Sequence, residues 1–428
     1  MTGTMQAATN GSEDAQSLRA EVDRLAAAND EKVIAWRHDI HMHPELSNRE
    51  FRTSKLVAAH LRKLGFDEVR TGVAHTGVIG VLKGGEPGAV VALRADMDAL
   101  PIVEQTNLPF ASKVQTTYDG QTVGVMHACG HDAHTAMLLG AAEVLSAMRA
   151  RLPGTVVFIF QPAEEGPPLD EGGGAKMMIA EGALENPHPK AIFGLHVSSL
   201  SEAGTLGFRS GALMGDESNF RIVIRGHQAH AGRPWRGIDP ITISAQIVTA
   251  LQTIPSRQLD QGSGVSLITI GTIHGGTRRN IIPDEVEMTG TFRTLNAKLV
   301  DDAWMRIRRT VEMIAQSAGG SAHVEIVREL PITYNDPNLA AASLPTLVRI
   351  VGRDHIIQPD PVLAAEDFAF YQEKIPGLFV YLGVNDPKAD PTTVEDVHSS
   401  RFFIDESALQ VGVRTLSSLA VDFLVANR

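Results

Sequence analysis

The stretch that decides the fold is Ala89-Val90-Val91-Ala92-Leu93-Arg94-Ala95-Asp96-Met97-Asp98, an apolar run that ends abruptly in charged residues. A short continuous apolar run of this kind predicts a buried strand. The pattern recurs at residues 155–160, which precede Gln161-Pro162-Ala163-Glu164-Glu165, and at residues 191–195, which precede His196. Because ligands in open α/β sheets bind beyond the carboxyl ends of the strands, the three runs predict one polar crevice. Its candidate side chains are Asp96, Asp98, Glu164, Glu165 and His196.

Helical and strand patterns alternate on both sides of this stretch. Apolar residues recur at helical spacing over residues 16–38, 48–64 and 133–149, and another short strand pattern covers residues 78–82. Alternation of this kind favours α/β layers, with helices packed on a largely parallel sheet.

The pattern changes near residue 211 and changes back near residue 331. Between them, strands and helices are predicted in the order βαββαβ, which is typical of a ferredoxin-like domain. These elements cover residues 218–225, 239–253, 265–273, 285–294, 298–317 and 322–329, and the α/β pattern then resumes at 338–352, 379–384 and 405–426. We expect a disordered tail over residues 1–15, an α/β domain split between residues 16–210 and 331–428, and an inserted domain over residues 211–330.

Composition narrows the class of protein. The chain has 428 residues, 43% of them hydrophobic, and a formal net charge of −12. The negative charge argues against general binding to nucleic acid or anionic membranes, and no apolar run reaches the roughly 18 residues of a membrane span. With a single cysteine, no intrachain disulfide can form. The first fifteen residues lack the basic start and apolar stretch of a signal peptide, so we expect a cytoplasmic enzyme.

A second polar cluster, His127-Ala128-Cys129-Gly130-His131-Asp132-Ala133-His134, stands directly before a predicted helix. Cys129, His131, Glu165 and His196 combine thiolate, imidazole and carboxylate donors, which suits a borderline-soft divalent ion such as Zn, Co, Ni or Mn. His398, in a loop before the last helix, completes this candidate ligand set. We expect His127 and His134 to support the ligands or the start of the helix.

The remaining candidates allow two interpretations each. In the Glu164-Glu165 pair, one carboxylate can bind metal while the other acts as a base. Asp96 and Asp98 either cap the turn before Pro101 or orient a ligand histidine. Polar groups of the inserted domain are either surface residues or donors on a lid over the crevice. The latter are His227, His230, Arg279, Asn280 and Arg293.

Motifs in a fixed order along residues 33–426 resemble the aminoacylase and carboxypeptidase metallopeptidases of the M20 peptidase family, in the branch of hippurate hydrolases and auxin-conjugate hydrolases. They include His41-Met42-His43-Pro44-Glu45-Leu46, Leu93–Pro101, His127–His134, Gln161–Gly166, Gly194-Leu195-His196-Val197, Gly226–Pro240, Asn280-Ile281-Ile282-Pro283, Gly290-Thr291-Phe292-Arg293, Ala365-Glu366-Asp367-Phe368 and His398. The resemblance implies a split catalytic domain with an inserted lid and dimerisation domain.

The resemblance also implies a set of roles. Two divalent ions per subunit would be bound by Cys129, His131, Glu165, His196 and His398. Glu164 would be the general base, and His230 would reach the partner's active site in a homodimer or homotetramer to stabilise the oxyanion. Asn280 and Arg293 would lie near the substrate carboxylate. Cys129 replaces a bridging aspartate of other branches, and Asp96 stands where those branches have a histidine ligand.

Three functions follow as hypotheses. The first is hydrolysis of an N-acyl-L-amino acid, such as a hippurate-like conjugate, to a carboxylic acid and a free amino acid. The second is a dipeptidase or carboxypeptidase with the same ions and a different pocket. The third is a metal-dependent binding protein without catalysis, which the second glutamate argues against because a binding protein needs no base beside its ligands.

Overall fold

The computed structural model describes residues 2–168 and 170–428, which divide into two compact units. The first unit comprises the chain up to Gly211 together with Asn335–Pro359 and Phe370–Arg428. The second unit comprises Ala212–Tyr334 and Asp360–Ala369. The segment at residues 360–369 therefore differs from the expected boundaries, because Leu363 and Ala364 bond to Arg293 and Gly215 within the second unit.

Three helices open the chain, and groups of strands separated by further helices follow. The helices are α1 Thr2–Ala28, α2 Asp30–Met42, α3 Phe51–Lys63, α4 His131–Ala147, α5 Gly174–Ala180, α6 Pro240–Thr253, α7 Val300–Ser317, α8 Pro337–Val351, α9 Ala369–Gln372 and α10 Ser407–Ala426. The strands are β1 Glu68–Val73, β2 Gly77–Lys83, β3 Glu86–Asp96, β4 Gln115–Tyr118, β5 Gln121–Gly124, β6 Pro153–Gln161, β7 Ala191–Glu202, β8 Leu206–Gly207, β9 Gly211–Met214, β10 Asp216–Arg225, β11 Ala229–His230, β12 Ser266–Gly275, β13 Ile281–Ile282, β14 Glu285–Thr294, β15 Ser321–Leu330, β16 Thr333–Asn335, β17 Ile356–Ile357 and β18 Gly377–Asn385.

The first unit is built on an eight-stranded sheet in the order β1-β2-β6-β3-β7-β18-β8-β17. Its four central strands, β6, β3, β7 and β18, run parallel, whereas β1, β2 and β6 pair antiparallel at one edge. The centre of the sheet is almost wholly apolar and buried, as parallel strands covered by helices require. The predicted α/β fold with a mostly parallel sheet is confirmed.

The register of the central strands places polar residues at one level. Asp96 pairs with Gln161 across β3 and β6, and Arg94 pairs with Gly194 across β3 and β7. His196 lies two residues beyond Gly194, so it lies level with Asp96. The strand containing His196 continues to Glu202 instead of ending at the histidine, because β18 keeps pairing alongside it.

Helix α4 lies in the interior, packed against α2 and α10. Its first fourteen residues are nearly all buried, which explains why it has no polar face. Helix α10 is long and apolar enough to cross a membrane, but 67% of its most apolar window is buried within the protein, as in a core helix.

The second unit contains the predicted ferredoxin-like domain. Its elements follow the order β10-α6-β12-β14-α7-β15, and its antiparallel sheet has the strand order β12-β14-β10-β15. Helix α6 starts where Asp239 accepts hydrogen bonds from the amides of Ile241 and Thr242, with Pro240 in the first helical position. One face of the sheet and the two helices enclose a separate apolar core around Phe220, Ile247 and Phe292.

The N-terminal segment differs from the expected disordered tail. Residues 2–15 belong to α1, and Met1 lies outside the described residues. Among the side chains that are described, Ala15, Leu18, Val22 and Ala26 are buried at helical spacing, so the apolar stripe of α1 packs on the first unit from residue 15 onward.

Candidate metal centre

One half of the centre is formed by Cys129, His131 and His196, and we call it the buried half. Gly130 separates the first two residues with φ +84°, and a Cβ atom there would lie 2.4 Å from Cγ2 of Val197. Glycine therefore permits the turn that leads into α4 and places a thiol and an imidazole on either side of it. Sγ of Cys129 lies 3.3 Å from Nε2 of His196, and the three ligand atoms lie within 4.8 Å of one another.

The other half is formed by Glu164, Glu165 and His398, which lie on loops, and we call it the loop half. Oε1 of Glu165 lies 3.1 Å from Nε2 of His398. Nε2 of His131 joins the two halves, at 3.8 Å from Oε2 of Glu164 and 4.0 Å from Oε1 of Glu165. The His398 side chain is 53% exposed, so this side of the centre is open. The amide of His398 donates to the carbonyl of Ala128 at 2.8 Å, which ties its loop to the buried half.

Hydrogen bonds decide which imidazole nitrogens can bind metal. Nδ1 of His196 contacts the carbonyl of Val197 at 2.7 Å, and Nδ1 of His131 contacts the carbonyl of Asp98 at 2.9 Å. A carbonyl only accepts, so Nδ1 carries the proton in both rings and Nε2 keeps its lone pair in the neutral form. Nε2 of His131 is buried and has no hydrogen-bond partner among the described residues. Such a nitrogen needs a partner, and a metal ion fits it.

His134 is not available as a ligand. Its Nδ1 contacts Oδ1 of Asp96 at 2.6 Å, and its Nε2 accepts the amide of Val197 at 2.9 Å. Both ring nitrogens are therefore used. This arrangement supports the expectation that His134 holds neighbouring groups, and it links the level of Asp96 in β3 to the strand that bears His196.

The two aspartates have different tasks. Asp96 accepts a hydrogen bond from Arg94 at 2.6 Å and contacts Nδ1 of His134, so it orients a residue that supports the ligands. Asp98 accepts the amides of Glu164 and Glu165, each at 3.1 Å, and so supports the turn that carries both glutamates. Of the two interpretations left open by sequence, support of other groups describes both residues better than capping of the turn before Pro101.

Burial and charge set the protonation of the metal-free site. Burial lowers the pKa of His131, but Asp96 and Asp98 outweigh it and raise the pKa to about 10. Burial, reinforced by Glu165 and Glu164, raises the pKa of the Cys129 thiol well above its usual value. Both groups must lose a proton before they can bind metal, so metal binding releases protons and weakens in acid.

A buried hydrogen-bond network around His41 and Asp132 was not predicted from the sequence. Nδ1 of His41 lies 2.9 Å from Oδ2 of Asp132, and its Nε2 lies 3.2 Å from Oε1 of Glu104. Nε of Arg37 donates to the same Asp132 oxygen at 3.0 Å. Burial lowers the pKa of His41, but Asp132 and Glu104 raise it overall to about 9. The only sequence signal was the segment His41-Met42-His43-Pro44, which identifies no partner.

Another unassigned residue is Glu50, at the start of α3. Its carboxylate is fully buried and accepts the amides of Asn48 at 3.0 Å and Ala163 at 2.9 Å. The hydroxyl of Thr76 donates to its other oxygen. A lone glutamate before a helix carries no signal for such contacts, because Thr76 and Ala163 lie 26 and 113 positions away in the chain.

The remaining candidate residues lie in the second unit. His230 is exposed in β11, and its Nδ1 accepts the amide of Gly232 at 3.0 Å. Asn280 is exposed, and its carbonyl accepts the amide of Ala231 at 3.1 Å. Arg293 contacts Glu217 at 3.0 Å and donates to the carbonyl of Leu363 at 3.0 Å. Two of its guanidinium nitrogens are thus used within the unit.

Residues 92–422 match the family model described as peptidase family M20/M25/M40. The chain belongs to this family. It is 42% identical over 393 residues to thermostable carboxypeptidase 1 of Saccharolobus solfataricus, which covers 91% of this chain and 95% of the relative. It is 40% identical over 390 residues to N-acetylcysteine deacetylase of Bacillus subtilis, which covers 91% of this chain and 96% of the relative.

A solved structure agrees with both the fold and the metal chemistry. It is a Bacillus subtilis protein described as a dinuclear metal binding peptidase from the M20 family, with 38% identity and a TM-score of 0.78. The match covers 93% of this chain and 99% of that one. The protein is therefore a metal-dependent hydrolase of this family with a two-ion centre. The thiol, imidazoles and carboxylates of the two halves are donors that suit such ions.

Proposed function

We propose that the protein hydrolyses the amide bond of N-acyl-L-amino acids, giving a carboxylic acid and a free amino acid. The observation that carries the proposal is the adjacent pair Glu164 and Glu165 on one supported turn, with Glu165 against His398 and Glu164 near His131. Such a pair supplies one ligand and one base at the same point. A protein that only binds metal needs no such base.

In this proposal, Cys129, His131, Glu165, His196 and His398 hold the two divalent ions, which are Zn, Mn, Co or Ni. When bound, the ions supply Lewis acidity toward the amide oxygen and acidify water. These five side chains form two triads that share Cys129, one with His131 and His196 and one with Glu165 and His398. Within each triad the ligand atoms lie within 4.8 Å of one another, which is compatible with ligands to shared ions. Asp96 and Asp98 act through the residues they support.

Glu164 performs the proton transfers. Its carboxylate is partly buried, in the same turn as the ligand Glu165 and within 4 Å of the ring of His131. It takes a proton from the attacking water and passes it to the leaving nitrogen, so that the free amine departs as a neutral group. In this role the Glu164 carboxylate is protonated by the attacking water and deprotonated again within each turnover.

The second unit supplies the remaining groups in the proposal. His230 reaches the active site of a partner subunit and stabilises the oxyanion, so the protein works as a homodimer or homotetramer. Asn280 contacts the carboxylate of the substrate. Arg293 is a weaker candidate for that contact than Asn280, since Glu217 and Leu363 already hold its guanidinium. We also propose a cytoplasmic enzyme that binds neither nucleic acid nor membranes, in line with its charge of −12.

A dipeptidase or carboxypeptidase is the second candidate, favoured by the 42% identity to a carboxypeptidase. The two functions share the centre and differ in what occupies the acyl side of the scissile bond. A substrate panel therefore separates them. We would load the purified protein with each of the four ions and measure released amine from N-acetyl and N-benzoyl amino acids, dipeptides and N-blocked peptides.

The result expected is a kcat/KM for N-acyl amino acids at least tenfold above that for any peptide. The Glu164→Gln protein, prepared in parallel, controls for contaminating hydrolases. A preference for dipeptides would replace the proposal with its alternative. Absence of turnover on all substrates with every ion would favour a binding protein.

A further inference from the structure

Two buried side chains, Glu50 and Asp98, accept hydrogen bonds from three consecutive backbone amides at residues 163–165. Oε1 of Glu50 accepts the amide of Ala163 at 2.9 Å. Oδ1 and Oδ2 of Asp98 accept the amides of Glu164 and Glu165, each at 3.1 Å. Each amide at residues 163–165 therefore points at a carboxylate, and we call this arrangement the amide clamp.

The clamp acts where the backbone has an unfavourable conformation. Ala163 has φ +53°, the left-handed region that residues with a Cβ atom rarely adopt. Without a specific partner for its amide, this residue would relax to a commoner conformation and rotate the next peptide groups. The side chains that would move are Glu164 and Glu165, whose carboxylates lie within 4 Å of Nε2 of His131.

Glu50 is itself held firmly enough to act as an anchor. It is fully buried directly before α3, and it also accepts the amide of Asn48 at 3.0 Å and the hydroxyl of Thr76. Its contacts therefore join three separate segments: the loop before α3, the turn before β2 and the turn after β6. Asp98 is anchored in the same way, since it accepts the hydroxyl of Ser47 at 2.8 Å.

We propose that Glu50 is a positioning residue that, through the amide of Ala163, fixes the direction of Glu164 and Glu165 toward the metal centre. The inference rests on the function proposed for those two glutamates. Glu50 touches neither the ligand atoms nor the substrate, so its effect is on geometry. It is expected to change kcat and metal affinity and to leave KM nearly unchanged.

Two substitutions at Glu50 separate this role from a general contribution to the core. Glu50→Gln keeps an acceptor oxygen for the amides of Asn48 and Ala163, and its amide nitrogen can donate to Thr76. Burial raises the pKa of Glu50 to about 8, with Asp98 adding to the effect, so a neutral replacement suits the site. Glu50→Ala removes every acceptor and leaves the three donors buried. Ile247→Ala, in the core of the second unit, is the control for lost stability alone.

Three measurements are made on each metal-loaded protein: kcat and KM, the dissociation constant for Co²⁺, and hydrogen exchange over residues 161–166. For Glu50→Ala we expect kcat and Co²⁺ affinity to fall by roughly 10–100-fold, as for other groups that orient ligands. Exchange over residues 161–166 is expected to accelerate at least tenfold. Glu50→Gln and Ile247→Ala are expected to stay within about threefold of the wild type in all three.

The proposal is overturned if Glu50→Ala keeps wild-type exchange over residues 161–166, or if Glu50→Gln loses as much as Glu50→Ala. If Glu50→Ala does not fold, Glu50→Asp replaces it, since a side chain shorter by one methylene withdraws from the amide of Ala163. Glu50→Asp must then accelerate the same exchange, and wild-type exchange overturns the proposal. Exchange needs no substrate, so failure of the proposed function shows separately, as absence of turnover of N-acyl amino acids by the wild type.

Discussion

Cys129, His131 and His196 lie on or beside regular elements and are almost completely buried, whereas Glu164, Glu165 and His398 lie on loops, with His398 more than half exposed. In the buried half, sheet register and the start of α4 determine where each donor lies. In the loop half, the directions of Glu164 and Glu165 depend on individual hydrogen bonds that their backbone amides donate to Asp98. The difference teaches that one centre can combine buried donors fixed by regular elements with donors on loops that are partly exposed to solvent.

The largest expected effect comes from substituting each glutamate of the loop half in turn, which tests their roles separately. Glu164→Gln should lower kcat by roughly 10²–10⁴-fold, because the amide cannot take a proton from water. Its metal content should stay at the wild-type value. Steady-state kinetics and elemental analysis of the same sample measure both quantities.

Glu165→Gln is the matched control, since it should lose metal as well as activity. Equal loss of metal in both variants would remove Glu164 from the role of base and make the loop half a pair of ligands.

The next effect tests the buried half. Cys129→Ser replaces a thiolate by a weakly acidic hydroxyl, so the affinity for Zn²⁺ should fall by more than about 100-fold, beyond the usual cost of changing a group that only orients ligands. Competition against a chelator measures the dissociation constant. Unchanged metal affinity and turnover in this variant would refute the assignment of Cys129 as a ligand.

A smaller effect should follow from removing support within the buried half. His134→Ala leaves the ligands in place but removes the ring between Asp96 and the amide of Val197, so metal affinity should fall by roughly 10–100-fold. The same chelator assay applies. A loss as large as that of Cys129→Ser would mean that His134 is a ligand and that its two hydrogen bonds are broken on metal binding.

The smallest effect concerns stability beneath the centre. The pKa of His41 is raised from 6.5 to about 9, so its charged form stabilises the fold fully below pH 6.5, and this contribution is lost as the pH rises through about 9. The wild type should lose about 3 kcal/mol of unfolding free energy across that window relative to His41→Asn. Urea unfolding at pH 6 and pH 10 tests this, and equal pH dependence of the two proteins would contradict it.

The prediction of the sheet from sequence succeeded because its strands are continuous apolar runs with polar residues at their ends. Residues 89–93, 155–160 and 191–197 all lie within observed strands, and Asp96 and Gln161 end two of them. The helix that follows Cys129 begins at His131, two residues before the expected start, because Gly130 already makes the turn. The tail was the clearest difference, since small polar residues carry no apolar stripe.

The residues that hold the candidate ligands in place were harder to predict from the sequence than the ligands themselves. Thiols, imidazoles and paired carboxylates have few other reasons to gather, so their types and order pointed to metal chemistry. Glu50 and His41 had no such signal. Each is one polar residue near a helix end. The partners of His41 lie 63 and 91 positions away, and Ala163 lies 113 positions from Glu50.

By itself, the sequence determined the α/β layers, the inserted ferredoxin-like order and the donor types, because these depend on periodicity and on the chemistry of single side chains. Only the tertiary structure decided which imidazole nitrogen keeps a lone pair, that His134 is fully occupied, and that Glu50 and Asp98 hold the turn of the two glutamates. Those features depend on distances between segments far apart in the chain, which packing of the folded core sets and local sequence does not encode.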